Sequence, residues 1–156
     1  MTAPDVSPFA PGDEPGLVAL FREMQAHYGA PCPPDARILA DLRDLPPGVT
    51  LLVARRPGVV GVAALASVYP GPGLRRGLFL KDLYVTAARR GEGVGSALVR
   101  AAARFALARG GGRLDWTADR ADAPLLAFYR RLGAAEQPEK LFFRLGEAAM
   151  RTLAGG

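Results

Sequence analysis

Two rhythms of apolar residues, one helical and one alternating, predict a mixed α/β fold. Residues 14–28 carry Leu17, Leu20, Phe21, Met24 and Tyr28 at helical spacing, with Pro15 in the first turn and Gly29 just past the end. Residues 34–45 repeat the rhythm with Ile38, Leu42 and Leu45, and Pro46-Pro47-Gly48 stops it. Residues 50–55 and 59–69 then read as strands, joined through Arg56-Pro57-Gly58 into an antiparallel hairpin. A flexible loop follows over 70–77. Residues 78–85 form the next strand. Strict alternation puts Leu78, Leu80, Asp82 and Tyr84 on one face, and Phe79, Lys81, Leu83 and Val85 on the other.

The second half continues in the same manner. Residues 94–109 make a helix whose buried face is Val94, Leu98, Ala101, Phe105 and Ala108, and Gly110-Gly111-Gly112 ends it. Residues 113–117 read as a strand. The intervening helix makes it parallel to 78–85 through a right-handed crossover. A short helix over 124–132, a last strand over 140–145 and a final helical turn or two over 146–153 complete the chain. The proline-rich residues 1–12 are expected either to be loosely ordered or to form a short edge strand, over 6–10. The whole reads as one domain, 1–156: a mixed central sheet with helices on both faces.

Composition narrows the chemistry. Cys32 and His27 are the only residues of their kinds, so neither a disulfide framework nor a metal site is expected. The formal charge is +5, almost all of it arginine, spread along the chain rather than gathered into a run. That favours an anionic cofactor over nucleic acid. There is no run of 18 apolar residues and no basic-then-apolar leader at the start, so a cytoplasmic protein without a membrane partner is expected.

The stretch that carries chemistry is Arg89-Arg90-Gly91-Glu92-Gly93-Val94-Gly95-Ser96, between a strand and a long helix. Three glycines keep side chains away from the backbone, and the amides of Gly93 to Ser96 are donors that the first helical turn leaves unpaired. With the helix dipole behind them they suit a phosphate, and Arg90 adds a forked donor. Ser96 stands where a dinucleotide fingerprint has its last glycine, and the Gly-Lys-Ser/Thr ending of a P-loop is absent. On its own the turn also fits a tight strand-to-helix connection with no ligand.

Three segments in order change that reading: Lys81-Asp82-Leu83-Tyr84-Val85, Arg90-Gly91-Glu92-Gly93-Val94-Gly95, and Phe128-Tyr129-Arg130-Arg131-Leu132-Gly133-Ala134. Together they resemble the GNAT family of N-acetyltransferases. The turn is similar to that family's Gln/Arg-x-x-Gly-x-Gly/Ala signature, at Arg90, Gly93 and Gly95. Leu114-Asp115-Trp116 and the 81–85 segment resemble most the branch containing diamine acetyltransferases. The resemblance covers residues 8–145. It implies an acyl-CoA N-acyltransferase fold whose sheet splays open at the cofactor, and acetyl-CoA as cosubstrate. It also implies that the backbone of Leu83, Tyr84 and Val85 pairs with the pantetheine arm. Arg90, Gly91, Glu92, Gly93, Val94, Gly95 and Ser96 would then hold the pyrophosphate. Asp122 stands where relatives often have an Asn beside the pantetheine.

Two residues take catalytic roles under this resemblance. Tyr129 matches the tyrosine whose hydroxyl approaches the cofactor sulfur; a hydroxyl of pKa about 10 can protonate a thiolate whose acid lies near 8.5. Its other reading is a core residue of a short amphipathic helix. Asp82 interrupts an apolar face, and burial raises a carboxyl toward a useful base. It is read as the base, directly or through water, as an anchor for the substrate ammonium, or as a structural carboxylate. Glu23, His27 and Tyr28 end the first helix, with His27 solvated and Tyr28 in the core. Cys32 is read as inert. The expected reaction is direct acetyl transfer to a primary amine of a small molecule: a polyamine, an amino acid, or an amine-bearing toxin or drug. The alternatives are a non-catalytic acyl-CoA sensor and a protein N-acetyltransferase. Relatives are often homodimers, which makes a homodimer a further expectation.

Overall fold

The computed structural model describes residues 2–155; Met1, which begins the proline-rich stretch, and Gly156 lie outside them. The chain divides into two compact units, residues 1–117 and 118–156. The first contains β1 (Asp5–Pro8), α1 (Glu14–Tyr28), α2 (Asp35–Arg43), β2 (Val49–Arg55), β3 (Val59–Val68), β4 (Gly77–Val85), α3 (Val94–Ala108) and β5 (Leu114–Asp115). The five strands form one sheet in the order β1-β2-β3-β4-β5. The first four are antiparallel neighbours, and β5 lies parallel to β4. The second unit contains α4 (Ala123–Arg131) and α5 (Glu147–Leu153). No described helix is long and apolar enough to cross a membrane.

Helices cover both faces of the sheet. Leu17, Leu20 and Met24 of α1 join Ile38 and Leu42 of α2 over Leu51, Val53, Val62 and Tyr84. On the other face Val94, Leu98, Ala101, Ala102 and Ala106 of α3 pack on Leu52, Ala63, Leu65, Leu78 and Leu80. Phe105 is only partly buried and Ala108 is exposed, so the buried stripe of α3 runs through Ala102 and Ala106 instead. A Cβ on Gly61 of β3 would come within 3.0 Å of both Leu98 and the Tyr84 carbonyl, so glycine lets α3 approach the sheet closely there. That contact seats the start of α3 beside the end of β4.

The alternation expected for β4 breaks at Lys81. Ala64 pairs with Asp82 and Leu65 with Leu80, so Lys81 is an extra residue without a partner on β3. A bulge of this kind shifts the parity of every later side chain. Leu78 and Leu80 therefore face α3, whereas Asp82 and Tyr84 turn to the α1–α2 side. The single face expected to carry Leu78, Leu80, Asp82 and Tyr84 is corrected to two.

Two further expectations are corrected. The strand expected over 113–117 is only Leu114–Asp115, paired with Leu78 and Phe79. Pairing with β4 stops at Phe79, two residues before the bulge at Lys81, where a strand bends and twists. Residues 140–145 form no strand, and Leu141, Phe142, Phe143 and Leu145 are exposed. A strand needs a partner for its backbone, and among the described residues from 118 onward there is no strand.

One buried ion pair ties the first unit together. Arg55 of β2 donates from Nε to Asp13 Oδ1 at 2.8 Å and from Nη2 to Oδ2, while Ala10 N–H donates to Oδ2 at 2.8 Å. Arg55 also donates to Ser7 Oγ of β1 at 2.9 Å. The Arg55 hydrogen bonds hold the Asp13 carboxyl below its ordinary 3.8, against the opposing effect of burial. Asp13→Ala leaves the guanidinium only the exposed Asp5 carboxylate, 3.8 Å away, and is expected to cost about 3 kcal/mol, or roughly 6–12 °C in Tm at pH 7. The folded value is the lower one, so this contribution is present above about pH 4 and is lost as pH falls through the folded pKa. Thermal melts of both proteins should therefore converge in acid.

Candidate active site

The end of β4 is an open edge. The Thr86 amide donates to the Val60 carbonyl at 3.0 Å. Antiparallel alternation then turns the N–H and C=O groups of Leu83 and Val85 to the opposite edge. On that edge β5 pairs with β4 only at Leu78 and Phe79. Leu83 and Val85 thus present backbone groups that an extended ligand arm can engage as an added strand. Arg90 Nε donates to the Val85 carbonyl at 3.1 Å, and its guanidinium lies over the Tyr84 ring at 5.2 Å.

The glycine turn leads from this edge into α3. Gly91 and Gly93 have φ of +79° and +81°, and a Cβ at either would meet nothing within 4 Å. The Ala97 amide is bonded to the Gly93 carbonyl at 3.0 Å. It is the first intrahelical bond of α3, so Val94, Gly95 and Ser96 have amides with no acceptor inside the helix. Glu92 turns its carboxylate to Arg56 of the β2–β3 turn, at 3.2 Å, and to Arg89 at 3.6 Å. Its side chain is therefore committed to arginines, and only its backbone is left for a phosphate. Gly93→Ala keeps the positive φ at a cost of about 1–2 kcal/mol and puts a methyl into the space above the amides. The expected result is about a tenfold higher KM for acetyl-CoA with little change in kcat. Gly110→Ala, with φ of +70° and open space around it, is the control: similar strain, unchanged KM.

Glu23 fixes the join between edge and turn. Its carboxylate accepts from the Ala87 amide at 2.7 Å, the Thr86 hydroxyl at 2.8 Å and the Tyr84 hydroxyl at 3.2 Å. The Ala87 bond leads in holding its carboxyl below the ordinary 4.5. Sequence reading gave Glu23 no such part. The available signal was an acid at the edge of the apolar stripe of α1, one residue before buried Met24.

A cleft of about 240 Å³ opens between α1, α2 and the sheet. Phe21 and Met24 of α1, Ile38 and Leu42 of α2, and Leu51 and Val62 of the sheet make its walls, with Cys32 and Asp82 also lining it. Burial pushes the Asp82 carboxyl above its ordinary 3.8; the Lys81 charge and the Tyr28 hydroxyl, 3.4 Å away, pull it back. Tyr28 is 53 % exposed rather than part of the core, so it flanks Asp82 instead of filling the fold. His27 is exposed, as expected, with its ring 5.8 Å from that of Tyr84.

In the second unit, Asp122 caps α4 by accepting from the Leu125 amide at 3.0 Å. That carboxylate has a structural task, as an N-cap should. Tyr129 lies in α4, half-buried, with its ring 5.1 Å from that of Phe128. Burial raises its hydroxyl above the ordinary 10.0, and the Asp122 charge adds to the shift.

Comparison with known proteins gives the family and the fold. The Acetyltransferase (GNAT) family matches residues 17–134. The thialysine N-epsilon-acetyltransferase of Sus scrofa is 35 % identical over 88 residues, 51 % of this chain and 49 % of the relative. The streptothricin acetyltransferase of Streptomyces lavendulae is 41 % identical over 58 residues, 37 % of this chain and 31 % of the relative. The chain thus matches at most about half the length of these curated relatives. Among solved structures, an integron cassette protein from the mobile metagenome of V. cholerae superposes over the whole of both chains. Its TM-score is 0.87 at 25 % identity. An aminoglycoside acetyltransferase from an uncultured soil sample, in complex with sisomicin, has a TM-score of 0.74 at 21 % identity. That match covers 92 % of this chain and 97 % of the other.

Proposed function

Because the chain belongs to the Acetyltransferase (GNAT) family, we propose that it transfers an acetyl group from acetyl-CoA directly to a primary amine of a small molecule. The observation that carries the reading is the sequence of surfaces along the first unit: phosphate-ready amides, then an open strand edge, then an apolar cleft bearing Asp82. A long cosubstrate with a diphosphate, an extended amide arm and a reactive thioester needs those surfaces in that order.

The residues divide the work by their chemistry. Amides of Gly91 to Ser96 receive the pyrophosphate, supported by the dipole of α3. Leu83 and Val85 pair with the pantetheine amides, and a backbone N–H of that edge polarises the thioester carbonyl. Arg90 leaves the Val85 carbonyl as the arm pairs there, and becomes free to meet a phosphate. Asp82 takes a proton from the amine, directly or through water. The amine lone pair bonds to the acetyl carbon, the carbon–sulfur bond breaks with its electrons on sulfur, and Tyr129 supplies the proton that makes the free thiol.

The test is CoA release from acetyl-CoA across a panel of amines, read by chromatography, beside thermal melts with acetyl-CoA. Amine-dependent CoA release is expected. Acetyl-CoA at about 100 times its Kd should add about 2.7 kcal/mol, or roughly 5–10 °C. Stabilisation without turnover of any amine would make the chain an acyl-CoA sensor. No stabilisation and no turnover would refute both.

A further inference from the structure

We propose that the acceptor is a monocationic amine with a compact apolar body, an arylalkylamine or medium-chain alkylamine, and not a polycation. This rests on the acetyltransferase reading above and concerns the acceptor of that same site. The relatives' names point elsewhere: streptothricin, thialysine and, for the fold alone, aminoglycosides.

The cleft argues for the narrower class by what its wall lacks. Two carboxylates line it, Asp82 and Asp41. Asp41 is already paired with Arg37, Nε to Oδ1 at 3.0 Å, and sits exposed at the rim. Asp82 is therefore the one lining carboxylate without an arginine partner, enough for a single ammonium. A second or third ammonium would find at most the neutral amide of Gln25 and otherwise Phe21, Met24, Ile38 or Leu42, where losing water without gaining a charged acceptor is costly. An apolar body gains from the same wall, about fourfold in kcat/KM per buried methylene until the cleft is full. The transfer balances for such a substrate. The ammonium loses one proton to Asp82 and on to solvent; the neutral nitrogen then bonds to the acetyl carbon and gives up a second proton as the carbon–sulfur bond breaks, while the departing thiolate takes one proton up, so one proton is released in all.

The test compares phenethylamine and a butylamine-to-hexylamine series with spermidine and sisomicin, using the full chain and saturating acetyl-CoA. Cys32 gives a second readout independent of turnover, because it is the sole cysteine and lines the cleft. Its alkylation by iodoacetamide can be followed by intact mass. The expected result is kcat/KM for hexylamine and phenethylamine at least about tenfold above spermidine, rising along the alkyl series. Cys32 should be protected by phenethylamine and not by equal spermidine. Leu45→Glu, which adds a carboxylate to the cleft wall, should shift the ratio toward spermidine by about tenfold. Spermidine or sisomicin as the better substrate would overturn the acceptor class and leave the acetyltransferase reading standing. Turnover of apolar amines without Cys32 protection, or an unchanged ratio in Leu45→Glu, would overturn the assignment to this cleft. No CoA release from any amine would overturn both readings together.

Discussion

Asp82→Asn is expected to lower kcat/KM for the amine about a hundredfold or more, the range for loss of a positioned general base, and at the same time to raise Tm at pH 7. The two effects have one cause. Burial raises the Asp82 carboxyl above its ordinary 3.8, and the Lys81 charge and Tyr28 hydroxyl only partly reverse it. A base must be ionised to work, so kcat/KM falls as pH drops through this raised value. The acidic limb then stands above the place an ordinary carboxylate would give it. For stability the sign is opposite to that of Asp13. Between pH 3.8 and the raised value the folded chain binds more protons than the unfolded one, so stability declines as pH rises through that window. At neutral pH the ionised carboxylate is a cost to the fold, and the isosteric amide removes it. A pH–rate profile and melts at pH 7 check the pair of outcomes. A lost acidic limb with lower kcat marks a base; a raised KM with kcat kept marks an anchor for the ammonium. Unchanged kinetics together with an unchanged or lower Tm would remove Asp82 from both roles.

The sequence made the long-period features readable and hid the local ones. The spacing of Leu17, Leu20 and Met24 located α1, and the glycine turn before Val94 located the start of α3, because both patterns are intrinsic to a helix. The bulge at Lys81 was invisible. Leu78, Leu80, Asp82 and Tyr84 alternate cleanly in sequence, and only the register with Ala64 and Leu65 reveals the extra residue. Its consequence reaches the site directly. Without the bulge Asp82 would share the α3 face with Leu80 and would not line the cleft.

The rest of the site was legible to the extent that it is made of backbone. Open amides at a helix start follow from chain geometry alone, so Gly93 to Ser96 could be read without any contact. Side-chain partners across the fold could not. Glu23 is 64 residues from Ala87, whose amide it accepts, and Arg56 is 36 residues from Glu92. The segment 140–145 failed for a related reason. Its residues are suited to a strand, but a strand is a pairing, and pattern in one segment does not supply the partner.

Tyr129→Phe is expected to reduce kcat about a hundredfold or more while leaving the KM for acetyl-CoA nearly unchanged. The ring, with its contact to Phe128, is retained, so the helix should keep its packing. What is lost is the proton. Burial first, and then the Asp122 charge, raises the hydroxyl above 10.0, so it stays protonated through any ordinary working range. Full transfer from such a group to a thiolate whose acid lies near 8.5 is uphill by at least about 2 kcal/mol. The proton must therefore move as the carbon–sulfur bond breaks, while sulfur charge is still developing and the tyrosine environment resists becoming anionic. That gives a test a merely structural tyrosine would not pass. Acetyl thioesters of more acidic thiols need less help in leaving, so the deficit of Tyr129→Phe should shrink as the leaving thiol becomes more acidic. The alkaline limb of the wild-type profile, set by loss of this proton, should vanish in the variant. A deficit of the same size for every thioester, or one carried entirely in KM, would assign Tyr129 to packing and leave the thiolate to be protonated by solvent.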